Sequence, residues 1–389
     1  MLEIGVQSRG IIRENAIEKG YEKIKNSGIT CVDYDIVSPE YGGKLEVSYF
    51  VKHRECAERY GIRFSQVHAP VFRYEPENQD KLVYALEVMK KSIGICSLLG
   101  SQYLVIHPLE AAFEVGREEE KKINLAYFSS MAEEARRSNV MICIENMPCR
   151  RNERVWEGAC SSAGQMLEYI EELNRRAGEE RFGTCFDVGH ANVLGKNLRE
   201  EVIALGSHLK VLHIHDNDGV TDSHQLPYSF SDVKSNQSTT DWSGFLMGLR
   251  NIGFRGVLSF ETYRSFTSVP GTLQEALLRF LYMIGVGFSH TICFDEKLEQ
   301  MGTKKKILFG VGRMFDIYMK EYGIKFGPAF AVDNNASLWG TKKSGILICP
   351  PQDIVKVPEE NRSVILCTIY YEEIEKQLND MGIYNYELY

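Results

Sequence analysis

The sequence lacks the features that mark several function classes. None of its 10 cysteines forms a CxxC pair, which removes the zinc-ribbon and thioredoxin-type readings. Cys143, Cys185, Cys349 and Cys367 stand in apolar runs, where a free thiol behaves as a small hydrophobe. That is the usage of a reducing compartment, not of a disulfide framework. No apolar run approaches the roughly 18–20 residues needed to cross a bilayer. The opening MLEIGVQSRG enters a strand-like run without a basic or apolar leader. The expectation is a cytoplasmic protein with no membrane partner. A basic excess is missing too, since the net charge is −8. Residues 304–389 hold 11 Lys+Arg and 11 Asp+Glu, leaving 34 against 42 for the rest, so the first part of the chain carries the whole deficit. Binding nucleic acid normally needs a basic face to neutralise phosphates, and the charge argues against such a partner. There is no low-complexity segment.

What is present is an alternation of short β-branched or aromatic runs with amphipathic helical stretches, the mark of βα units and a parallel sheet. The strand candidates are Leu2–Ser8, Ile29–Ile36, Ile62–His68, Tyr103–His107, Val140–Glu145, Phe182–Asp187, Leu209–His215 and Val257–Glu261. Eight such units over about 290 residues have the number and size of a closed β/α barrel. The pattern pauses near Asp295–Thr303 and restarts at Lys304. Lys306–Phe309 is a strand, Gly310-Val-Gly312 a turn, and a helix runs to about Tyr322. Strands Ala329–Asp333 and Val364–Thr368 follow, with a helix over Glu372–Met381. The chain is therefore divided into a barrel over 1–295 and a small α/β domain over 304–389.

The barrel's imidazoles and carboxylates gather at the carboxyl ends of its strands. Strand three ends at His68, strand four at His107, strand five at Glu145, strand six at Asp187 with His190 beyond it, and strand eight at Glu261. Strand seven ends in His213-Ile-His215-Asp-Asn-Asp218, trailed by Asp222 and His224. In a barrel these positions converge on one cavity at the carboxyl face. Several carboxylates sharing a small cavity repel one another unless a cation balances them, and a mixed imidazole and carboxylate set suits Zn²⁺ or Mn²⁺. His213 and His215 point to the same side of the strand. His215, nearer the mouth, is taken as the ligand and His213 as a deeper core residue or one that supports the ligands from behind. His53, His208 and His290 lie away from strand ends and are read as structural.

These motifs resemble the xylose-isomerase-like TIM barrel superfamily, which holds sugar isomerases, sugar 3-epimerases, inosose dehydratases and endonuclease IV. Its epimerase branch implies one metal held by Glu145, Asp187, His215 and Glu261, with the two glutamates doubling as acid and base and His190 touching substrate. Its endonuclease branch implies three zinc ions, and His68, His107, Glu145, Asp187, His190, His215, Asp222, His224 and Glu261 match that ligand pattern. The sequence departs from the epimerases at Arg151 and Thr221, where that branch carries a glutamate and an arginine. It departs from the nucleases in the run Asn-Met-Pro-Cys-Arg-Arg after Glu145. It is nearer to the sugar-phosphate isomerase/epimerase-like members, which share the ENMP, FDVGHAN and HIHDND runs.

Two further features bear on ligands. The loop Arg150-Arg151-Asn152-Glu153-Arg154 follows strand five at the mouth, where arginines can clamp a phosphate or carboxylate bidentately. The alternative is a solvated loop balanced by Glu153 and Glu157. The tail resembles the Rossmann-like modules found beside sugar-modifying enzymes, with Gly310 and Gly312 opening a helix and Asp333 ending the next strand where a ribose-binding acid would sit. Phe315 replaces the third glycine, and a packing or oligomerisation module competes with a nucleotide site. The expected fold is thus a (β/α)8 TIM barrel followed by a small Rossmann-like α/β domain. The expected activity is metal-dependent isomerisation or epimerisation of a sugar or sugar phosphate through a metal-stabilised enediolate, in a chain able to form a homo-oligomer. A multinuclear-zinc phosphoesterase and a non-catalytic sugar-binding protein are the alternatives.

Overall fold

A computed structural model describes residues 1–72, 74–75, 77–111, 113–151, 154–232 and 237–389. They form two compact units, Met1–Ile292 and Cys293–Tyr389.

In the first unit the short β-branched runs become β1 (Ile4–Gln7), β2 (Cys31–Asp35), β3 (Arg63–His68), β4 (Tyr103–Ile106) and β5 (Met141–Glu145). After a separate antiparallel hairpin, β6 (Pro148–Arg151) and β7 (Arg154–Glu157), come β8 (Phe182–Asp187), β9 (Leu209–His213) and β10 (Leu258–Phe260). All eight sheet strands pair in parallel, in the order β10-β1-β2-β3-β4-β5-β8-β9. The ring closes through a parallel bridge between Ile214 and Phe260, where Ile214 donates to Ser259 O at 2.9 Å and Glu261 to Ile214 O at 3.0 Å.

The helices between strands follow from local sequence. In Ala163–Ala177, Met166, Tyr169, Ile170 and Leu173 fall on one stripe and are buried, each contributing about 1.5–3 kcal/mol of apolar burial. Ser162 caps its start by accepting from Gln165 N–H, and Gly178 ends it in the left-handed region at φ +72°. Inside the barrel the two-residue period sets the layers. Val105, Cys143, Cys185 and Val211 form an apolar cluster. Two residues further along the same strands stand His107, Glu145, Asp187 and His213. The register pairs Glu145 with Cys185 and Asp187 with His213. The polar groups are therefore the next inward layer above an apolar floor.

The second unit is one sheet with helices on both faces. Its strands are β11 (Lys305–Phe309), β12 (Phe330–Val332), β13 (Lys342–Lys343), β14 (Ile346–Cys349), β15 (Arg362–Leu366) and β16 (Tyr386–Leu388), in the order β13-β14-β12-β11-β15-β16. All pairs are parallel except β13 with β14. The first strand is central and the chain winds out to one side and then the other, a doubly wound order. Leu308 and Ile365 pack with Phe315 and Tyr318 on one face, while Ile307, Phe309 and Val364 pack with Ile374 and Leu378 on the other. The helix Phe294–Gln300 buries Phe294 and Leu298 in this second core. Among the described residues no single helix is long and apolar enough to cross a membrane.

Candidate metal centre

The strand ends and the segment after β9 bring the nine residues singled out in the sequence into neighbouring groups, all buried except the partly exposed His107 and Asp222. His68 and His107 turn their Nε2 atoms toward Glu145 Oε2 at 3.5 and 3.1 Å. The other oxygen, Glu145 Oε1, faces a second group made with Asp187, Glu261 and His213. His213 Nδ1 lies 3.2 Å from Glu145 Oε1, 3.1 Å from Glu261 Oε2 and 4.0 Å from Asp187 Oδ2. A third group joins His190, His215, Asp222 and His224. Their Nε2 atoms lie 3.2–3.6 Å from Asp222, and His215 Nε2 also lies 3.1 Å from Asp187 Oδ1. Glu145 and Asp187 thus stand between neighbouring groups.

The structure adds a residue to the expected set. His213 shares a group with the three strand-end carboxylates, while His215 meets Asp187 alone among them. The strand was read two residues too long: β9 ends at His213, level with Glu145 and Asp187 at the ends of β5 and β8. Beyond Ile214 the chain has left the ladder, and His215 stacks on His224 with ring centroids 3.9 Å apart. Its ring occupies the space above Gly189, where a Cβ would fall 1.9 Å from His215 Cε1.

The outer partners of these imidazoles point inward lone pairs at the cluster. Nδ1 of His68, His190 and His224 lies 2.8, 2.8 and 3.1 Å from the carbonyl oxygens of Ala69, Asn146 and Glu261. A carbonyl only accepts, so each Nδ1 is the donor and each Nε2 faces the carboxylates. His213 is reversed: its Nε2 faces Asp33 Oδ2 at 3.1 Å and its Nδ1 the cluster. Holding the outer nitrogen on a carbonyl or carboxylate is how metal-binding histidines are oriented. The floor is braced as well. Gln66 Nε2 donates to Asp33 Oδ2 at 3.1 Å, and Gln7 Nε2 donates to Glu261 Oε1. Asn146 ties β5 to β8 by accepting Asp187 N–H at 2.6 Å and donating to Asp187 O at 2.9 Å. Asp216 accepts from Asn217 N–H and the Thr240 hydroxyl through Oδ1, and from Ser229 N–H through Oδ2, shaping the long segment that carries Asp222 and His224.

Asp33, Gln7, Gln66 and His213 are the groups that sequence reasoning missed or misplaced. The available signal was inward parity: a buried Asp in a strand whose neighbours are apolar.

The electrostatics test whether a cation fits. Glu145 Oε2, Glu261 Oε2, Asp222 Oδ1 and His213 Nδ1 are buried and make no hydrogen bond to the protein. Orphaned polar atoms of this kind are costly. Burial by itself raises the Glu145 carboxyl, but the His213 and His107 imidazoles outweigh it and hold Glu145 well below the usual range. At Glu261 burial prevails and its carboxyl is raised. Burial depresses His68, yet the Glu145 carboxylate beside it lifts the imidazole to about 9. Without a metal, protons on histidine must supply the positive charge these carboxylates require. The oxygen and imidazole donor set and its unsatisfied atoms fit a divalent ion of the zinc or manganese type.

The other expected ligand sites differ in detail. The arginine-rich segment is part of the β6–β7 hairpin, with Arg150 and Arg154 exposed. Asn152, Glu153 and the Arg151 side chain lie outside the described residues. Glu157 pairs with Arg117 at 2.7 Å and Lys196 at 2.5 Å. In the second unit Gly310 has φ +96°, and a Cβ there would lie 2.8 Å from Cys367 O. Asp333 braces this turn, Oδ2 accepting Val311 N–H at 3.0 Å and Oδ1 accepting Asn335 N–H at 2.8 Å. Gly312 precedes the helix Arg313–Tyr322 with no side-chain cap.

Comparison with known proteins agrees with the barrel geometry. The chain is similar to a probable endonuclease 4 of Mycoplasmopsis agalactiae, 24% identical over 213 residues, which cover 51% of this chain and 71% of that one. It is also similar to an inosose isomerase of Bacillus velezensis, 24% identical over 193 residues, covering 48% and 63% of the two chains. The crystal structure of a D-tagatose 3-epimerase-like protein superposes with a TM-score of 0.57 at 22% identity, over 74% of this chain and 99% of that one. The family described as the xylose isomerase-like TIM barrel matches residues 21–282. With two thirds of its length matched and the site at the barrel's carboxyl end, this chain belongs to the xylose isomerase-like TIM barrel family.

Proposed function

We propose that the protein is a divalent-metal-dependent isomerase or epimerase of a sugar or sugar phosphate. The observation that carries this reading is the meeting of Glu145, Asp187 and Glu261 around His213 Nδ1, two glutamates facing one imidazole nitrogen. These four residues would hold the ion. When bound there, it would polarise the carbonyl and hydroxyl oxygens of a substrate. The chain itself then moves one proton. One of Glu145 and Glu261 removes the proton from the carbon beside the carbonyl, and the other returns it. Asp33 holds the His213 ring in place from behind, and Gln7 does the same for Glu261. His190 reaches the cavity with Nε2 and orients substrate. Similarity to an inosose isomerase and to an epimerase-like barrel supports the isomerase class.

The overlap of three groups through Glu145 and Asp187 favours a second reading, a multinuclear phosphoester hydrolase, which similarity to a probable endonuclease 4 also supports. Elemental analysis of the purified protein, followed by assays on ketoses, ketose phosphates and an abasic-site oligonucleotide, separates the two. One ion per chain with ketose interconversion supports the first reading. Two or three ions with phosphodiester cleavage and no interconversion would replace it with the second.

A further inference from the structure

Arg9 is a cation at the barrel mouth that the mechanism does not use. Arg9 follows Ser8 at the carboxyl end of β1, on the same rim as the site. Its backbone is held on both sides. Ser8 N–H donates to Asp33 O at 2.8 Å, and Ser8 O accepts from Ile11 and Ile12 N–H at 3.1 and 2.9 Å. Gly10, at φ +81°, packs so closely on the segment after β10 that a Cβ would meet Phe266, Thr267 and Tyr263 O within 3.3 Å. The arginine therefore projects from a rigid turn.

Its guanidinium carbon lies over the Tyr263 ring, 4.3 Å from the centroid, and Tyr263 in turn packs on His224 at 4.8 Å. Arg264 sets a second guanidinium 5.7 Å from the same ring. The Arg9 charge is thus within about 9 Å of the His224 ring. Among the described residues neither the Arg9 nor the Arg264 side chain has an ion pair or hydrogen bond. A guanidinium held over a ring and without another polar partner has N–H donors left for an oxyanion.

We infer that Arg9, assisted by Arg264, binds an anionic group of the substrate, so that the sugar handled at the metal centre carries a phosphate or a carboxylate. This rests on the isomerase reading for the word sugar, and on Arg9 itself for the anion. The contact is one of binding only and makes or breaks no bond.

The test compares binding of D-ribulose, D-ribulose 5-phosphate and D-gluconate to the metal-loaded full chain by calorimetry. The proteins are wild type, Arg9→Gln, Arg9→Lys and the double variant Arg9→Gln/Arg264→Gln. Wild type should bind one of the two anions at least tenfold more tightly than D-ribulose. Arg9→Gln should shrink that ratio by about 10- to 100-fold, the scale of a charge-assisted bidentate contact. Arg9→Lys should restore part of it, since lysine keeps the charge and loses the fork. Whichever anion shows the Arg9-dependent preference identifies the group. No preference in wild type, or one that survives in the double variant, overturns the inference and assigns the anion to the metal. Absence of ketose turnover beside an Arg9-dependent preference would instead defeat the isomerase reading alone.

Discussion

Replacing Asp33 by Asn tests the site from behind, through a residue that touches neither the proposed ion nor the substrate. Asp33 is fully buried, and Oδ2 lies 3.1 Å from His213 Nε2 while accepting from Gln66 Nε2 at 3.1 Å. An asparagine carbonyl in the same place still accepts from Gln66 Nε2 and keeps an oxygen beside His213 Nε2, so the shape persists while the charge is lost. A carboxylate in this position makes the imidazole a better donor to a metal, and losing such outer partners costs about 10- to 100-fold in affinity. That is about 1.4–2.7 kcal/mol. With metal in excess the same amount disappears from the metal-induced stabilisation, an expected loss of about 2–4 °C from the rise in Tm of a unit of this size. The reading is the difference between metal-loaded and metal-free melting temperatures, because Asp33 also faces His213 in the metal-free protein and its loss shifts both baselines. Competition with a chromophoric chelator gives the affinity independently. An unchanged increment together with an affinity within twofold of wild type would refute the placement of His213 as the imidazole ligand of this group.

Three further outcomes are expected. Gly189→Ala sets a methyl 1.9 Å from His215 Cε1, so His215 must move; the melting temperature should fall by the equivalent of about 1–3 kcal/mol, with loss of any ion held by His190, Asp222 and His224, and unaltered stability and metal content would contradict the packing described. His53 is buried between the Tyr21 and Tyr34 hydroxyls, and burial lowers its imidazole to about 4. The unfolded chain therefore takes up the proton first as pH falls: stability is flat above about 6.5 and declines by up to about 3 kcal/mol between 6.5 and 4. Urea unfolding of wild type and His53→Gln across that range should diverge by this amount, and parallel curves would remove His53 from the acid response. A chain ending at Ile292 should fold and bind metal, since Phe294 and Leu298 belong to the second core and every proposed ligand precedes them; circular dichroism and metal content check this. A nucleotide that raises the Tm of the full chain and not of the shortened one would place its site in the second unit, whereas an insoluble or metal-free product would make the barrel dependent on it.

The barrel was legible because its signal is repeated and local. Each unit carries its own short apolar run and amphipathic helix, and an error at one boundary does not disturb the next. The second unit was read less completely. Ile346–Cys349 and Tyr386–Leu388 are strands of 4 and 3 residues, too short to show a period, and their pairing depends on β12 and β15 rather than on their own sequence. The β6–β7 hairpin was read as a loop for a related reason. Its two strands of 4 residues are rich in arginine and bury little, so what holds them is their mutual ladder, which only the pairing reveals.

The histidines of β9 show where sequence reasoning reaches its limit. Parity gives the same answer for His213 and His215, since both are inward positions on one strand. Choosing between them requires knowing the residue at which the ladder stops, and that is set elsewhere. Ile214 makes the last link of the barrel by pairing with Phe260, so the register of β10 against β9 places Glu261 beside His213 and turns the chain away before His215. Asp33 and Arg9 were missed at the same level. Asp33 matters because Gln66, beside it on β3, and His213, from across the barrel, both face it, and Arg9 because Tyr263, from the far end of the domain, lies beneath it. Residues at strand ends can be nominated from one strand at a time. Those that orient them, and those that select the substrate, are defined by contacts between segments from 33 to 254 positions apart in the chain, where loop closure must come before any such contact forms, and no short window of sequence contains both partners.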